Sequence, residues 1–154
     1  MIPQLILRNA LLALHILGAV AWVGGMLFAM TVLRPALSAL APPDRLKLHL
    51  QVFSRFFRLV WHVWPLMLIT GYWMIFGLYG GFNGVNIAVH AMHGLGLLMV
   101  AIFLIIWFGP FKALRTAMAT GDTATAAASV ARIRKLVLLN LLLGLLTVAV
   151  AAFG

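Results

Sequence analysis

Apolar residues fall into four long runs, over residues 9–33, 59–78, 87–108 and 136–153, and the stretches between them carry nearly all the charge. Each run is close to the roughly 20 apolar residues that a helix needs to cross a bilayer. None alternates with the period of two expected of an outer-membrane barrel strand, so the pattern predicts helices. The first run is too long for a removable signal peptide and lacks a charged start and a small-residue cleavage site. It is read as a retained span. The expected fold class is all-α: an integral membrane four-helix bundle, formed as a single domain over residues 1–154.

Composition agrees with the pattern. Hydrophobic residues make up 65% of the chain, charged residues 8%, and the mean hydropathy is +1.14. A soluble domain carries about 25% charged residues. There is no Cys, which excludes disulfide scaffolds, thiolate metal sites, iron–sulfur clusters and cysteine nucleophiles together.

The charges set a direction. Arg34, Arg45, Lys47, Arg55 and Arg58 lie between spans one and two, and Lys112, Arg115, Arg132, Arg134 and Lys135 between spans three and four. Only Arg8 lies elsewhere among the 11 basic residues. The positive-inside rule then places both basic stretches in the cytoplasm and both termini on the periplasmic side. The net charge of +9 is that topology signal plus attraction to anionic headgroups, and nucleic acid is not an expected partner. The basic stretches read as helix extensions. Pro42-Pro43-Asp44 looks like a stop followed by an N-cap at Asp44, and Gly121-Asp122-Thr123 repeats the device. Pro65 is expected to kink span two.

Inside the spans the chemistry is sparse. The only acidic residues are Asp44 and Asp122, both between spans, so intramembrane carboxylate relays and carboxylate-bridged metal centres are excluded. No nucleophile, base and orienting group assemble into a hydrolase set. Histidine remains: His15 in span one, His62 in span two, and His90 and His93 at the start of span three. A rise of 1.5 Å per residue puts His15 and His93 each about 10 Å below the periplasmic boundary, on spans that run the same way. The two imidazoles can then face each other. His90 sits one turn above His93, while His62 enters from the cytoplasmic end. His49, in a basic stretch, receives no role.

The local sequences also match: His15-Ile-Leu-Gly18 and His93-Gly-Leu-Gly96 both place a glycine about one turn beyond the imidazole. A flat macrocycle held by two helices needs little side-chain bulk beside its ligands. Trp22, Gly24, Gly25, Met26, Phe28, Met92 and Met99 can complete an apolar pocket. The sharpest expectation is therefore a b-type haem with His15 and His93 as axial ligands, an arrangement suited to electron transfer. Two blander readings stand beside it. Glycines in membrane helices let helices approach closely, and the Trp and Tyr residues near span ends, Tyr72 among them, fit an interfacial belt.

The segment from His15 through Trp22, Gly25 and Phe28, followed by Leu33-Arg34-Pro35-Ala36-Leu37, resembles the first helix of the CopD-like superfamily of small bacterial membrane proteins. Phe56-Phe57-Arg58-Leu59-Val60-Trp61 and Leu68-Ile69-Thr70-Gly71-Tyr72-Trp73 are similar to its second helix. The resemblance covers roughly residues 10–37 and 56–110 and implies a bacterial inner (cytoplasmic) membrane location. Its HemJ-type branch implies bound haem b and oxidation of protoporphyrinogen, with the first-helix His at His15. That branch expects a Lys early in the third helix, where this chain has His90 and His93. The copper-resistance branch implies copper transport, here through His15, His90, His93 and the methionines Met26 and Met92.

The function expected first is a haem b protein with redox activity, electron-transferring or porphyrinogen-oxidising, whose partners are the lipid bilayer and a membrane-soluble reductant such as a quinol or porphyrinogen. A homo-oligomer is compatible with it. The alternative is a copper-binding or copper-transport protein, with His90 as an alternative ligand. A third reading is an assembly subunit whose histidines are satisfied within the bundle.

Overall fold

The computed structural model describes residues 2–153, and among them it is helical with no strand. Four helices are long and apolar enough to cross a membrane: α1 (Pro3–Ala39), α2 (Pro42–Leu78), α3 (Ile87–Thr120) and α4 (Thr123–Ala151). Each apolar run of the sequence lies largely on one of them. The helices exceed their runs at the basic end, where only Leu40–Ala41 and Gly121–Asp122 separate them. A 37-residue helix is about 55 Å long, against about 30 Å of hydrocarbon. The bundle therefore continues beyond the bilayer as helix, as the basic stretches suggested.

The boundaries follow local chemistry, with one difference from expectation. Pro42 and Pro43 start α2 instead of preceding it, and Ala41 is the N-cap, with no side-chain bond from Asp44 to a free amide. Proline is at home in a first turn, because the N–H it lacks would have no helical partner there. Asp122 does cap α4, its Oδ1 accepting from the Thr125 N–H at 3.0 Å. Gly121 closes α3 with φ 75°, a left-handed conformation that glycine adopts at no steric penalty. Asn86 caps α3 through the Val89 N–H at 3.1 Å. Helix α2 continues through Pro65, while α3 widens into a π-type turn at Trp107–Phe111, around Pro110.

Packing is uneven along the bundle. α1 pairs with α2, and α3 with α4. The core lies toward the basic half, where Phe57 stacks on Phe53 at 5.5 Å and meets Phe111 edge-on at 5.0 Å. Leu114, Ala126, Val130, Ile133 and Val137 fill the space between α3 and α4. The opposite half is more open: on α1, residues 3–10 are all exposed, Leu5, Ile6 and Leu7 among them. Lipid, which solvates apolar side chains as well as Leu does, is the medium in which that surface is stable.

Candidate functional site

Three histidines, His15, His90 and His93, lie on the open half, and α2 holds two of them. His15 reaches from α1 to place Nδ1 3.0 Å from Thr70 Oγ1. Thr70 Oγ1 also lies 2.8 Å from the Leu66 carbonyl and 3.2 Å from that of Met67. A hydroxyl has one proton, and in a helix it turns back to the carbonyls of the preceding turn. Thr70 therefore accepts from His15 Nδ1–H, and the Nε2 of His15 carries the lone pair. A second residue that fixes the tautomer in this way is the usual accompaniment of a metal-ligating imidazole. The ring lies over Gly71, its Cε1 3.3 Å from where a side-chain carbon would stand.

His93 meets α2 elsewhere. Its Nε2 lies 2.8 Å from the Tyr72 hydroxyl, with the two rings edge to face at 5.5 Å. Phe82, in the α2–α3 connection, packs 5.0 Å from the His93 ring and 5.6 Å from that of His90. One aromatic ring thus gathers both histidines of α3, His93 half-buried and His90 exposed.

These contacts bear directly on the expected pair. Thr70 and Tyr72 leave α2 at levels about 3 Å apart along its axis. Two residues also turn a helix by about 200°, so Thr70 and Tyr72 leave α2 on nearly opposite faces, and each holds its own histidine.

The other candidates separate. His62 is exposed, its Nδ1 2.7 Å from the Arg58 carbonyl. His49 is buried, its Nδ1 2.8 Å from the Arg45 carbonyl and its ring 5.5 Å from that of Phe53. Trp22 and Met26 belong to the core, Trp22 edge-on to Phe103 at 6.4 Å. Gly18 lets α1 approach α2, since a side-chain carbon there would stand 2.8 Å from Met67 Cγ. At Gly96 nothing lies within 4 Å of that position, so its flank is open. Among the described residues no three His, Asp or Glu side chains converge on one point.

Thr70 and Tyr72 were not among the sequence candidates. Thr70 had a signal, being a hydroxyl at the depth of His15. Tyr72 was absorbed into the interfacial belt, and only its bond to His93 distinguishes it.

Residues 50–153, more than half of the chain, match the family described as copper resistance protein D. The chain belongs to the CopD family. No curated protein and no solved structure matches it. In this CopD chain the matched segment begins within α2 and runs through α4, so Thr70, Tyr72, His90 and His93 lie inside it and His15 outside. The CopD fold here is a multi-pass bundle in which His15, His90 and His93 lie at the end away from the basic residues, and His49 and His62 do not.

Proposed function

We propose that this CopD-family protein binds copper as its cargo at the histidine end of the bundle, with the neighbouring His90 and His93 as one imidazole pair and His15 as a separate imidazole ligand on α1. The observation that carries the reading is the Thr70–His15 bond, which leaves the Nε2 of His15 with a free lone pair inside the membrane. Imidazole nitrogen suits copper in both oxidation states, and the family description points to the same metal. His90 and His93 stand one helical turn apart against Phe82, His90 exposed for capture and His93 held deeper by Tyr72. On the charge pattern the basic end faces the cytoplasm, and capture takes place from the periplasmic side of the inner membrane.

A b-type haem with redox function is the second reading. It is favoured by the same free Nε2 and by the open flank of Gly96. His15 fits one axial position. His93 fits the other only after releasing Tyr72 and turning toward the side of α2 where His15 lies. When bound, the haem would supply one-electron chemistry to a quinol or porphyrinogen in the membrane.

One preparation tests both. The detergent-purified protein is titrated with Cu(I) against a chromophoric chelator, and its reduced-minus-oxidised visible spectrum is recorded, alongside His15→Ala and His93→Ala. Copper binding weakened about 10-fold or more in each variant, with no haem bands, supports the first reading. A Soret band and a sharp reduced α-band, lost in both variants, replaces it with the second. Neither signal, after reconstitution with either group, overturns both and leaves the histidines as packing residues.

A further inference from the structure

The two hydroxyls of α2 treat their histidines in opposite ways. The Thr70 proton is turned back on the Leu66 and Met67 carbonyls, so Thr70 can only accept from His15. The Tyr72 hydroxyl stands at the far end of a rigid ring, out of reach of the carbonyls of its own turn. Its one hydrogen bond among the described residues is to His93 Nε2, at 2.8 Å. Its proton is therefore free to be donated. Between a phenol and a neutral imidazole the stronger hydrogen bond runs from the phenol O–H, the better acid, to the unprotonated ring nitrogen, the better base. Tyr72 then donates to the Nε2 lone pair, and the proton of the neutral ring stands on Nδ1. His15 presents a free lone pair. His93, as folded, presents none.

The surroundings hold that bond closed. Tyr72 stacks on Phe76 with centroids 6.2 Å apart, and Phe76 meets Phe82 edge-on at 5.6 Å. Phe82 packs 5.0 Å from His93, which closes the circuit 5.5 Å from Tyr72. Tyr72 and His93 are both half-buried, where water competes poorly for the bond and the low local dielectric strengthens it. His90, against the same Phe82, is exposed and is held by neither hydroxyl. We propose that Tyr72 is a latch on His93: it covers the metal-binding lone pair in the empty protein, so copper is met first by His90 and gains His93 only as the Tyr72 bond opens. The inference rests on the copper reading above, and it makes Tyr72 a positioning residue that sets the affinity of the His90–His93 pair without touching the metal. The exchange needs no further reactant. One O–H···N hydrogen bond breaks, one metal–nitrogen bond forms, and Tyr72 keeps its proton.

The test is a Cu(I) titration of the detergent-purified full chain against a chromophoric chelator, run on the wild type, Tyr72→Phe, His93→Ala and the double variant. Tyr72→Phe removes one oxygen and keeps the ring against Phe76 and His93. It is expected to bind Cu(I) about 10-fold more tightly, because one net hydrogen bond no longer competes with the metal. The gain is expected to vanish in the His93→Ala background. A tyrosine that only supports the fold gives equal or weaker binding in Tyr72→Phe, and that result overturns the latch while the copper reading stands. A gain that persists without His93 overturns it too, since Tyr72 would then act elsewhere. Copper bound by none of the four proteins overturns the copper reading and the latch together. The direction of the hydrogen bond is read without metal, from the imidazole nitrogen NMR spectrum of the histidine-labelled wild type, with the His93 signals assigned by their loss in His93→Ala. A proton on Nδ1 and none on Nε2 is the expected result. A proton on Nε2 overturns the latch whatever the titrations give.

Discussion

Two hydrogen bonds carry most of the chemistry at the scale of the residue, and both end on α2. If Thr70 fixes His15 for a metal, then Thr70→Val, which keeps the shape but removes the acceptor, should lower Cu(I) affinity about 10- to 100-fold. Thr70→Ser should keep most of it. Helical circular dichroism would be unchanged in both, and equal affinity in Val and Ser would detach Thr70 from the metal. The two glycines of the matched His-x-x-Gly segments are expected to behave differently. Gly18→Ala forces a carbon against Met67 Cγ and should destabilise by about 1–3 kcal/mol through overpacking. Gly96→Ala meets open space and should leave the thermal midpoint unchanged. A spectral loss in Gly96→Leu at unchanged stability would favour the haem reading, because only a cofactor packed on that flank would register the change.

Elements were legible where physics is local. Apolar runs located the four spans, because crossing hydrocarbon is a demand on consecutive residues. They under-reported helix length, because α2 before Leu59 and α4 before Leu136 are held by scattered contacts through Phe53, Phe57, Ala126 and Val130 that a hydropathy run does not register. Caps were legible in part. Of the two caps expected, Asp122 is the N-cap of α4; Asp44 caps nothing, since Pro42 and Pro43 have already begun the helix. The Asp122 cap carries a pH signature. Hydrogen bonds from Thr125 hold its carboxyl below the ordinary carboxylate range. A folded value below the unfolded one contributes stability above the ordinary range, and that contribution is lost as pH falls through the folded value. Thermal unfolding from pH 7 down to pH 3 should therefore narrow the gap between wild type and Asp122→Ala, with the variant lower at pH 7. A gap that stays constant would show that the carboxylate charge does nothing for the cap.

At the scale of the whole molecule the two ends divide the work. The basic half is packed on aromatic rings, and the histidine half is open to lipid, which leaves room there for the ligand proposed above. Which α2 side chain His15 and His93 each meets was not legible in the sequence, because it depends on how the helices pack, a property of the assembled bundle. Orientation in the membrane decides what the histidine end can meet, and the charge asymmetry predicts it to be periplasmic. The chain contains no Cys, so a single introduced thiol reports without background. Asn83, in the α2–α3 connection, and Ser38, at the basic end of α1, are both exposed. In intact cells with a permeabilised outer membrane, a membrane-impermeant maleimide should label Asn83→Cys. It should reach Ser38→Cys only once the inner membrane is opened. The reverse pattern would put His90 and His93 in contact with the cytoplasm. Copper taken at that end would then be drawn from inside the cell, and the direction of handling proposed above would be inverted while its ligands stayed the same.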